Sequence, residues 1–295
     1  MGFTFALVAM VFFSANILVT RYAIARMPVA AGFFVVLATN ILFPALLFTG
    51  ELLARATPYA WQWREAGLFA LAGLIGTFLG RRFLFDAVRL LGPSRASVFH
   101  STAPAFALVG AWLLADERLG WYEVLLMAIV WFGLWFTQPR AAAASPASGI
   151  AARKGMLAGI FTVAGFGFGN VLRGLAMHGW DEAVLGTVIA SLCALCCQVA
   201  VTRDWRGVSQ RLRAADRGAI WLYVGCGVFT SLGAIFTAMS MNHMEIALAV
   251  LVVHTTPLVI FPVSVYILKN REDLTPRTLV GALLVLTGIA LLAFR

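Results

Sequence analysis

Long apolar runs of about 20 residues follow one another along this 295-residue chain, separated by short polar stretches. A helix rises about 1.5 Å per residue, so each run is long enough to cross a hydrocarbon core of about 30 Å. Barrel strands would be about ten residues long and would alternate in polarity, which these runs do not. The pattern predicts ten transmembrane helices, numbered here as spans one to ten: about residues 3–24, 29–50, 66–86, 94–114, 119–138, 154–176, 182–201, 218–240, 246–268 and 277–294.

Composition argues against a soluble protein. Hydrophobic residues make up 61% of the chain and charged residues only 12%, whereas an average soluble domain carries about 25% charged residues. The ten runs use most of the chain, so the expected fold class is an all-α integral membrane protein. The first run lacks a basic start and an evident small-residue cleavage site, so we expect span one rather than a removed signal peptide.

The four cysteines all lie in predicted spans. Cys193 and Cys196 form a C-x-x-C pair, but no histidine or carboxylate follows at the spacing of a metal site. A cysteine in an apolar helix usually behaves as a small buried hydrophobic residue, and this applies equally to Cys197 and Cys226. We therefore expect no disulfide, no metal and no cofactor.

The net charge of +9 comes mainly from lysines and arginines in the short loops between spans. This grouping does not favour a nucleic-acid partner, and the expected partners are the lipid bilayer and a small-molecule substrate. Fourteen of the basic residues lie in loops opposite the N-terminus, and four lie on the N-terminal side. Under the positive-inside rule, this count places both termini outside the cytoplasm.

The chain contains the same five-span unit twice. Aligning Pro104 with Pro257, an offset of 153 residues, brings Gly80 onto Gly233. Further matched pairs are Phe83 with Phe236, Thr102 with Thr255, Asn16 with Asn170, Glu117 with Glu272 and Gly133 with Gly288. Because five is odd, the second copy enters the membrane from the opposite side, an inverted repeat typical of secondary transporters. We predict five-helix repeats at 1–138 and 154–295, joined by a flexible linker at 139–153.

Two stretches of the repeat carry a resemblance to a known family. GPSRASVFHSTAPAFALVGAWLLADERL and IALAVLVVHTTPLVIFPVSVYILKNREDLT, each followed by a glycine-containing last span, resemble the EamA family of the drug/metabolite transporter superfamily. The resemblance covers essentially the whole chain and implies a transporter of amino acids, other metabolites or drugs. It also implies cytoplasmic termini, against the charge count, so sidedness stays open. We expect a bacterial-type plasma (inner) membrane; the oligomeric state stays open, with a monomer among the options.

Two mid-span prolines mark the first candidate binding region. Pro104 in span four and Pro257 in span nine each free the carbonyl four residues earlier, which loosens the helix and suggests gating. Polar groups at bilayer mid-depth usually face a cavity, and broken helices of paired repeats often form transporter sites. The candidate substrate-binding residues beside the prolines are His100, Ser101, Thr102, His254, Thr255 and Thr256. The alternative is that the hydroxyls bond to their own helices and the histidines to a neighbour.

Asn16 on span one and Asn170 on span six are further candidates for lining the binding site. Each lies near an arginine, Arg21 and Arg173 respectively. Interhelical hydrogen bonding is the structural alternative. Spans one and six contain no carboxylate, whereas the small four-helix multidrug relatives in this superfamily resemble proton exchangers that use a first-helix glutamate. Proton coupling of that kind is therefore disfavoured.

The stretch GTFLGRRFLFDAVRLLG, residues 76–92, carries Arg81 and Arg82 towards the far end of span three. Both lie within snorkelling reach of the interface, so an interfacial anchor is one interpretation. Arg82, Asp86 and Arg89 share one helix face, which predicts pairing of the aspartate. The second copy has no equivalent charges, which favours the other interpretation, an anchor for an anionic group of the substrate.

Several other motifs are explained by structure alone. Two GxxxG pairs, Gly76/Gly80 and Gly165/Gly169, predict close helix packing. Turns explain Glu117, Glu272 and the segment 242–245, although a gating role for the glutamates stays an alternative. Pro276 suits a first helical position. The arginine-rich segment 202–218 predicts a short helix at the lipid headgroups, with apolar positions at helical spacing.

A transporter accounts for these features better than the other classes do. Neither H-E-x-x-H nor G-x-S-x-G occurs, so no enzyme motif is present. We expect a secondary transporter that moves a small polar or amphipathic metabolite, amino-acid-like or drug-like, by alternating access, as an exporter. The alternatives are a membrane scaffold, a channel-like protein without active transport, or an intramembrane enzyme assembled across helices.

Overall fold

The computed structural model describes residues 1–54, 60–91, 99, 102–118, 120–137, 150–266 and 276–293, and within these the chain forms helices and no strand. The α-helices, numbered in chain order, are α1 Gly2–Ile24, α2 Val29–Ala54, α3 Trp63–Ala72, α4 Arg81–Leu91, α5 Ala103–Leu114, α6 Trp121–Thr137, α7 Ile150–Gly179, α8 Ala183–Val201, α9 Trp205–Ala214, α10 Arg217–Met241, α11 Ile246–Val253, α12 Pro257–Tyr266 and α13 Pro276–Ala293. A π-helix, Gly73–Gly80, joins α3 to α4.

Six helical segments of the described chain are long and apolar enough to cross a membrane: Gly2–Ile24, Ala31–Ala54, Trp63–Leu91, Arg153–Gly179, Ala183–Val201 and Arg217–Met241. They coincide with predicted spans one, two, three, six, seven and eight. Shorter apolar helices occupy the regions of spans four, five, nine and ten. The protein is therefore a multi-pass integral membrane protein, and for these four regions membrane crossing stays a prediction.

The chain divides into two compact units. The first unit comprises residues 1–74 and 172–243, and the second comprises residues 75–171 and 244–295. Each unit therefore combines parts of both halves of the sequence. The end of the predicted linker, residues 150–153, is already helical because α7 begins at Ile150.

In the first unit, α1 packs along α10, and α2 packs against both α8 and α10. One core cluster surrounds Phe69, Met177 and Trp180. A second cluster contains Met27 and Tyr223, and the Tyr223 hydroxyl donates a hydrogen bond of 2.9 Å to the Met27 carbonyl. This bond ties the start of α10 to the connection between α1 and α2.

In the second unit, α6 packs along α13 through a reciprocal pair of glycine contacts. A Cβ added at Gly133 would meet the Val285 side chain at 2.7 Å, and one added at Gly288 would meet the Val130 side chain. Both glycines are repeat equivalents, and so are both valines, because each pair is 155 residues apart. The two last spans of the repeats therefore share one symmetric contact.

Candidate functional site

All but one of the predicted site residues that the structure describes belong to the second unit. Asn16 lies in the first unit, whereas His100 and Ser101 lie outside the described residues. The remaining residues are Arg81, Arg82, Thr102, Pro104, Asn170, His254, Thr255, Thr256 and Pro257. Most of the candidate site residues that the structure describes therefore lie in the second unit.

Span nine is broken at the predicted place. Helix α11 ends at Val253, a turn covers residues 254–256, and α12 begins at Pro257. The break follows from Pro257, which has no N–H to donate to the Val253 carbonyl and whose ring crowds the preceding turn. The proline thus interrupts an otherwise continuous apolar segment.

Polar side chains at this break bond to the end of α11. The fully buried Thr255 donates its hydroxyl to the Val252 carbonyl at 2.6 Å. The Nδ1 atom of His254 lies 2.8 Å from the Val250 carbonyl oxygen. Since a carbonyl oxygen only accepts hydrogen bonds, Nδ1 carries the hydrogen of this bond. Both side chains therefore satisfy carbonyls near the end of α11.

The first copy repeats the threonine contact. Thr102 donates its hydroxyl to the Phe99 carbonyl at 2.7 Å, again three residues earlier. Thr102 directly precedes α5, which carries Pro104 in its first turn. Each threonine hydroxyl thus donates its hydrogen to a carbonyl of its own segment. This agrees with the alternative interpretation, in which the hydroxyls bond to their own helices. A hydroxyl group can accept hydrogen bonds as well as donate one.

Helices from the two proline-containing spans meet within the second unit. Helix α5, from span four, packs against α11, from span nine. On another side, α5 approaches α7 closely, because a Cβ added at Gly110 would lie 3.0 Å from the Phe168 ring and 3.1 Å from the Val171 side chain. Helix α5, whose start carries Thr102 and Pro104, and α11, which ends at the break of span nine, are therefore neighbours.

Glu117 has a contact that the sequence analysis did not find. Its carboxylate accepts the Ile246 N–H at 2.6 Å and the Ala247 N–H at 3.3 Å. These are the first two N–H groups of α11, which have no acceptor inside the helix. A carboxylate at this position is also favoured by the positive end of the helix dipole. A residue after span four therefore holds the start of span nine.

The arginines of span three follow the π-helix directly. Arg81 is half-buried and begins α4, whereas Arg82 is exposed. The expected pairing of Asp86 is not formed: within the described residues, Asp86 makes no ion pair with Arg82 or Arg89. The equivalent positions in α10 are Ala234 and Ile235, both buried in a helix without a π-segment.

The two predicted GxxxG motifs pack against each other. A Cβ added at Gly76 would lie 3.3 Å from the Gly169 Cα, and one added at Gly165 would lie 2.9 Å from the Gly80 Cα. We refer to these four glycines as the glycine seam. The prediction of close packing is confirmed, and the seam brings the π-helix backbone against α7 just before Arg81.

The two asparagines lie in different units. In the first unit, Thr20 donates to the Asn16 Oδ1 atom at 3.4 Å and lies 3.3 Å from the Cys226 sulfur. In the second unit, Asn170 is half-buried on α7 and follows Gly169 of the glycine seam. Asn16 therefore accepts a hydrogen bond within its own helix, and the contact from this pair to α10 is made by Thr20.

Another buried polar pair lies in the first unit. Asn40 of α2 and Ser231 of α10 are 3% and 0% exposed, and the Asn40 side-chain amide lies 3.2 Å from the Ser231 hydroxyl oxygen. A single asparagine in an apolar run gave no indication of which helix it would face. The pair binds α2 to α10 within the first unit.

Three structural predictions outside the site are confirmed: a turn, a short helix and the start of a helix. Residues 242–245 form a turn after α10, where the exposed His243 ring stacks on Phe5 with a centroid distance of 5.7 Å. The arginine-rich segment contains helix α9, whose N-cap Asp204 accepts the Gly207 N–H at 2.9 Å. Pro276 is the first residue of α13.

The described residues include no group of three histidine, cysteine or acidic side chains that could hold a metal ion. All four cysteines are free thiols.

Comparisons with known proteins agree with this architecture. A model of the EamA-like transporter family matches residues 1–138 and 153–294. A solved crystal structure, described only as that of a "protein", is 17% identical and aligns with a TM-score of 0.73 over 98% of this chain and 96% of that chain. At this identity the likeness concerns the fold alone. A comparison with curated protein sequences found no match.

Proposed function

The chain belongs to the EamA-like transporter family, and we propose that it is a secondary transporter exporting a small polar or amphipathic metabolite, amino-acid-like or drug-like, by alternating access. The proposal includes ten membrane spans, arranged as inverted repeats at 1–138 and 154–295 with a linker at 139–153. The membrane is a bacterial-type plasma (inner) membrane. The partners are the substrate and the bilayer.

The observation that carries this proposal is the break of span nine, together with the equivalent threonine contact just before α5 in span four. Thr255 and Thr102 occupy equivalent positions and make the same hydrogen bond to the carbonyl three residues earlier. A helix interrupted at mid-depth exposes backbone polar groups, which a membrane protein tolerates where they are buried in protein or line a water-filled cavity. A break of this kind therefore supports a substrate site.

In this site, the backbone at the two breaks and the threonine oxygens accept hydrogen bonds from the substrate. His254 contributes a ring nitrogen to the site. In span four, His100 and Ser101 are proposed to contribute polar groups to the corresponding part of the site. Asn170 and the guanidinium groups of Arg81 and Arg82 extend the site towards an anionic group of the substrate. The prolines allow the break to change its angle as access alternates.

Counterflow in proteoliposomes tests the proposal. Vesicles preloaded with each member of a metabolite panel should accumulate the labelled form of the true substrate. The double variant T102V/T255V should reduce the initial rate by about thirtyfold, since two lost hydrogen bonds of about 1 kcal/mol each remove about 2 kcal/mol of binding free energy. Thr102→Ser with Thr255→Ser should retain the activity because serine keeps the hydroxyl.

Thr162→Val is the matched control. Thr162 is buried in the same unit and donates its hydroxyl to its own helix, at 2.8 Å from the Ala158 carbonyl, but lies outside the site. Equal losses in T162V and T102V/T255V would remove the threonines from the site. Flux without counterflow would indicate a channel, and no flux with any panel member would contradict transport.

A further inference from the structure

One end of the first unit carries a concentration of exposed arginines. At this end the connection from α1 to α2 meets the start of α10, because Arg26 pairs with Asp216 at 3.9 Å and Tyr223 bonds to Met27. We refer to it as the arginine end. Its exposed arginines are Arg21, Arg26, Arg203, Arg206, Arg211, Arg213 and Arg217, against the two aspartates Asp204 and Asp216.

The opposite end of the first unit has the reverse balance. There the start of α1 meets the end of α10, since Phe5 stacks on His243. Among the described residues, its charged side chains are Glu51, Arg64, Glu65, Asp181 and Glu182. The two ends of one helical unit therefore differ strongly in charge, although the same helices reach both.

Helix α9 supplies the centre of the arginine end. Its apolar side faces the protein: Val208 is buried, and the Trp205 ring lies 5.4 Å from the Phe34 ring of α2. Arg206 and Arg213 are seven residues apart and so lie on one side of the helix, while Arg211 lies on the other. The arginines thus flank the side of α9 that packs on the protein.

The two aspartates are already engaged. Asp204 caps α9 through the Gly207 N–H, and Asp216 pairs with Arg26. Within the described part of the chain, Arg206, Arg211 and Arg213 form no ion pair. Their guanidinium groups, with five N–H donors each, are available to acceptors outside the protein.

Aromatic residues place these arginines at the depth of the lipid headgroups. Tyr22, Trp205 and Trp221 are 51%, 43% and 71% exposed at the arginine end. Tyrosine and tryptophan concentrate at the membrane–water interface, where an apolar ring and a polar group are both accommodated. The arginines beside them therefore reach the phosphate layer.

We propose that the arginine end of the first unit binds anionic phospholipid headgroups. Arginine recognises phosphate oxygens through paired N–H donors, and basic residues close to a membrane surface are attracted by its negative potential. The occupant is the headgroup layer of an anionic lipid such as phosphatidylglycerol. The inference needs only that the protein spans the membrane, and it does not depend on the proposed transport activity.

Native mass spectrometry of the full-length protein tests this. Protein released from nanodiscs of mixed phosphatidylcholine and phosphatidylglycerol should retain phosphatidylglycerol preferentially. The double variant R206Q/R213Q should lower that preference by at least about tenfold, because each basic residue near the surface contributes a factor of about five. R206K/R213K should retain most of it, because the charge is kept.

The matched control is R64Q/R118Q. Both arginines are exposed, with side chains 86% and 83% accessible, and neither belongs to the arginine end. An unchanged preference in R206Q/R213Q, or an equal loss in R64Q/R118Q, would overturn the proposal. Salt provides a measurement on the unaltered protein, since higher ionic strength should weaken the preference. A preference that does not respond to salt would also overturn it.

Discussion

The helix pair α1–α10 in the first unit and the pair of span three with α7 in the second unit occupy equivalent positions in the repeat. Their contacts are nevertheless made differently. In the second unit, Gly165 faces the Gly80 backbone, whereas in the first unit Gly233, the equivalent of Gly80, faces the Phe13 ring. A backbone contact fixes helix separation closely, whereas a ring can shift when its neighbour changes.

The first unit fills the same interface with aromatic rings. Phe12 stacks on Phe229 at 6.3 Å and on Phe236 at 5.7 Å, and Phe5 contacts Phe236 at 6.0 Å. Phe229 occupies the position of the repeat that is equivalent to Gly76 in the second unit. The same helix–helix interface of the repeat can therefore be packed with aromatic rings in one unit and with glycines in the other. The glycine-packed interface is the one that contains the π-helix and precedes Arg81.

The largest effect should come from Gly165→Ala. A Cβ at this position would lie 2.9 Å from the Gly80 Cα and 3.0 Å from the Ile75 carbonyl oxygen, neither of which can rotate away. Overpacking of this kind costs typically about 1–3 kcal/mol, and we expect the upper part of that range. Thermal unfolding followed by tryptophan fluorescence measures the loss.

Gly225→Ala is its control, because no atom lies within 4 Å of the added Cβ. This variant should be neutral or slightly stabilising, since alanine favours a helix by about 1 kcal/mol over glycine. If G165A were as stable as G225A, the two units would not differ in how well they tolerate an added methyl group at a glycine.

A smaller loss should follow Gly233→Ala in the first unit. The added Cβ would lie 2.9 Å from the Cε2 atom of Phe13, the distal part of a side chain that can move. We expect a destabilisation of about 1 kcal/mol, near the low end for overpacking. Measured by the same unfolding assay, Phe13→Leu should reduce this cost, and a loss equal to that of G165A would contradict the comparison.

Replacing Glu117 by glutamine should have the smallest destabilising effect of the three, about 0.5–1 kcal/mol, because glutamine keeps one acceptor oxygen for the N–H groups of α11 but loses the charge and the second acceptor. The matched variant is Asp116→Asn. Asp116 pairs only with the exposed Arg118 at 3.5 Å among the described residues, and its backbone has φ 51°, which asparagine tolerates. D116N should change stability by less than about 0.5 kcal/mol. Equal effects would show that the contact to α11 contributes nothing of its own.

The helices and the repeat were predictable because they depend on local apolar length and on matching residues. The break at Pro257 and the turn at 242–245 were predictable for the same reason, since proline chemistry acts within its own segment. Both GxxxG pairs were found, but the sequence did not indicate that they face each other. Membrane crossing by spans four, five, nine and ten stays a prediction.

Other features depended on the tertiary structure. Glu117 and Ile246 are far apart in sequence, and no local pattern joins a carboxylate to helix N–H groups at that separation. The i, i+4 spacing of Arg82 and Asp86 predicted a pair that does not form, because such exposed pairs are worth little against side-chain entropy. The π-helix had no sequence signal beyond its glycines.

The reciprocal contact between α6 and α13 has a consequence for the origin of the chain. Gly133 faces Val285, and its equivalent Gly288 faces Val130, the equivalent of Val285. In a two-fold assembly, an isologous interface shows this relation, where residue i of one subunit contacts j of the other and j contacts i. A single five-helix chain would therefore carry both the glycine and the valine of the contact. A homodimer of such a chain would form between its two subunits the same interface that the present protein forms between its two repeats.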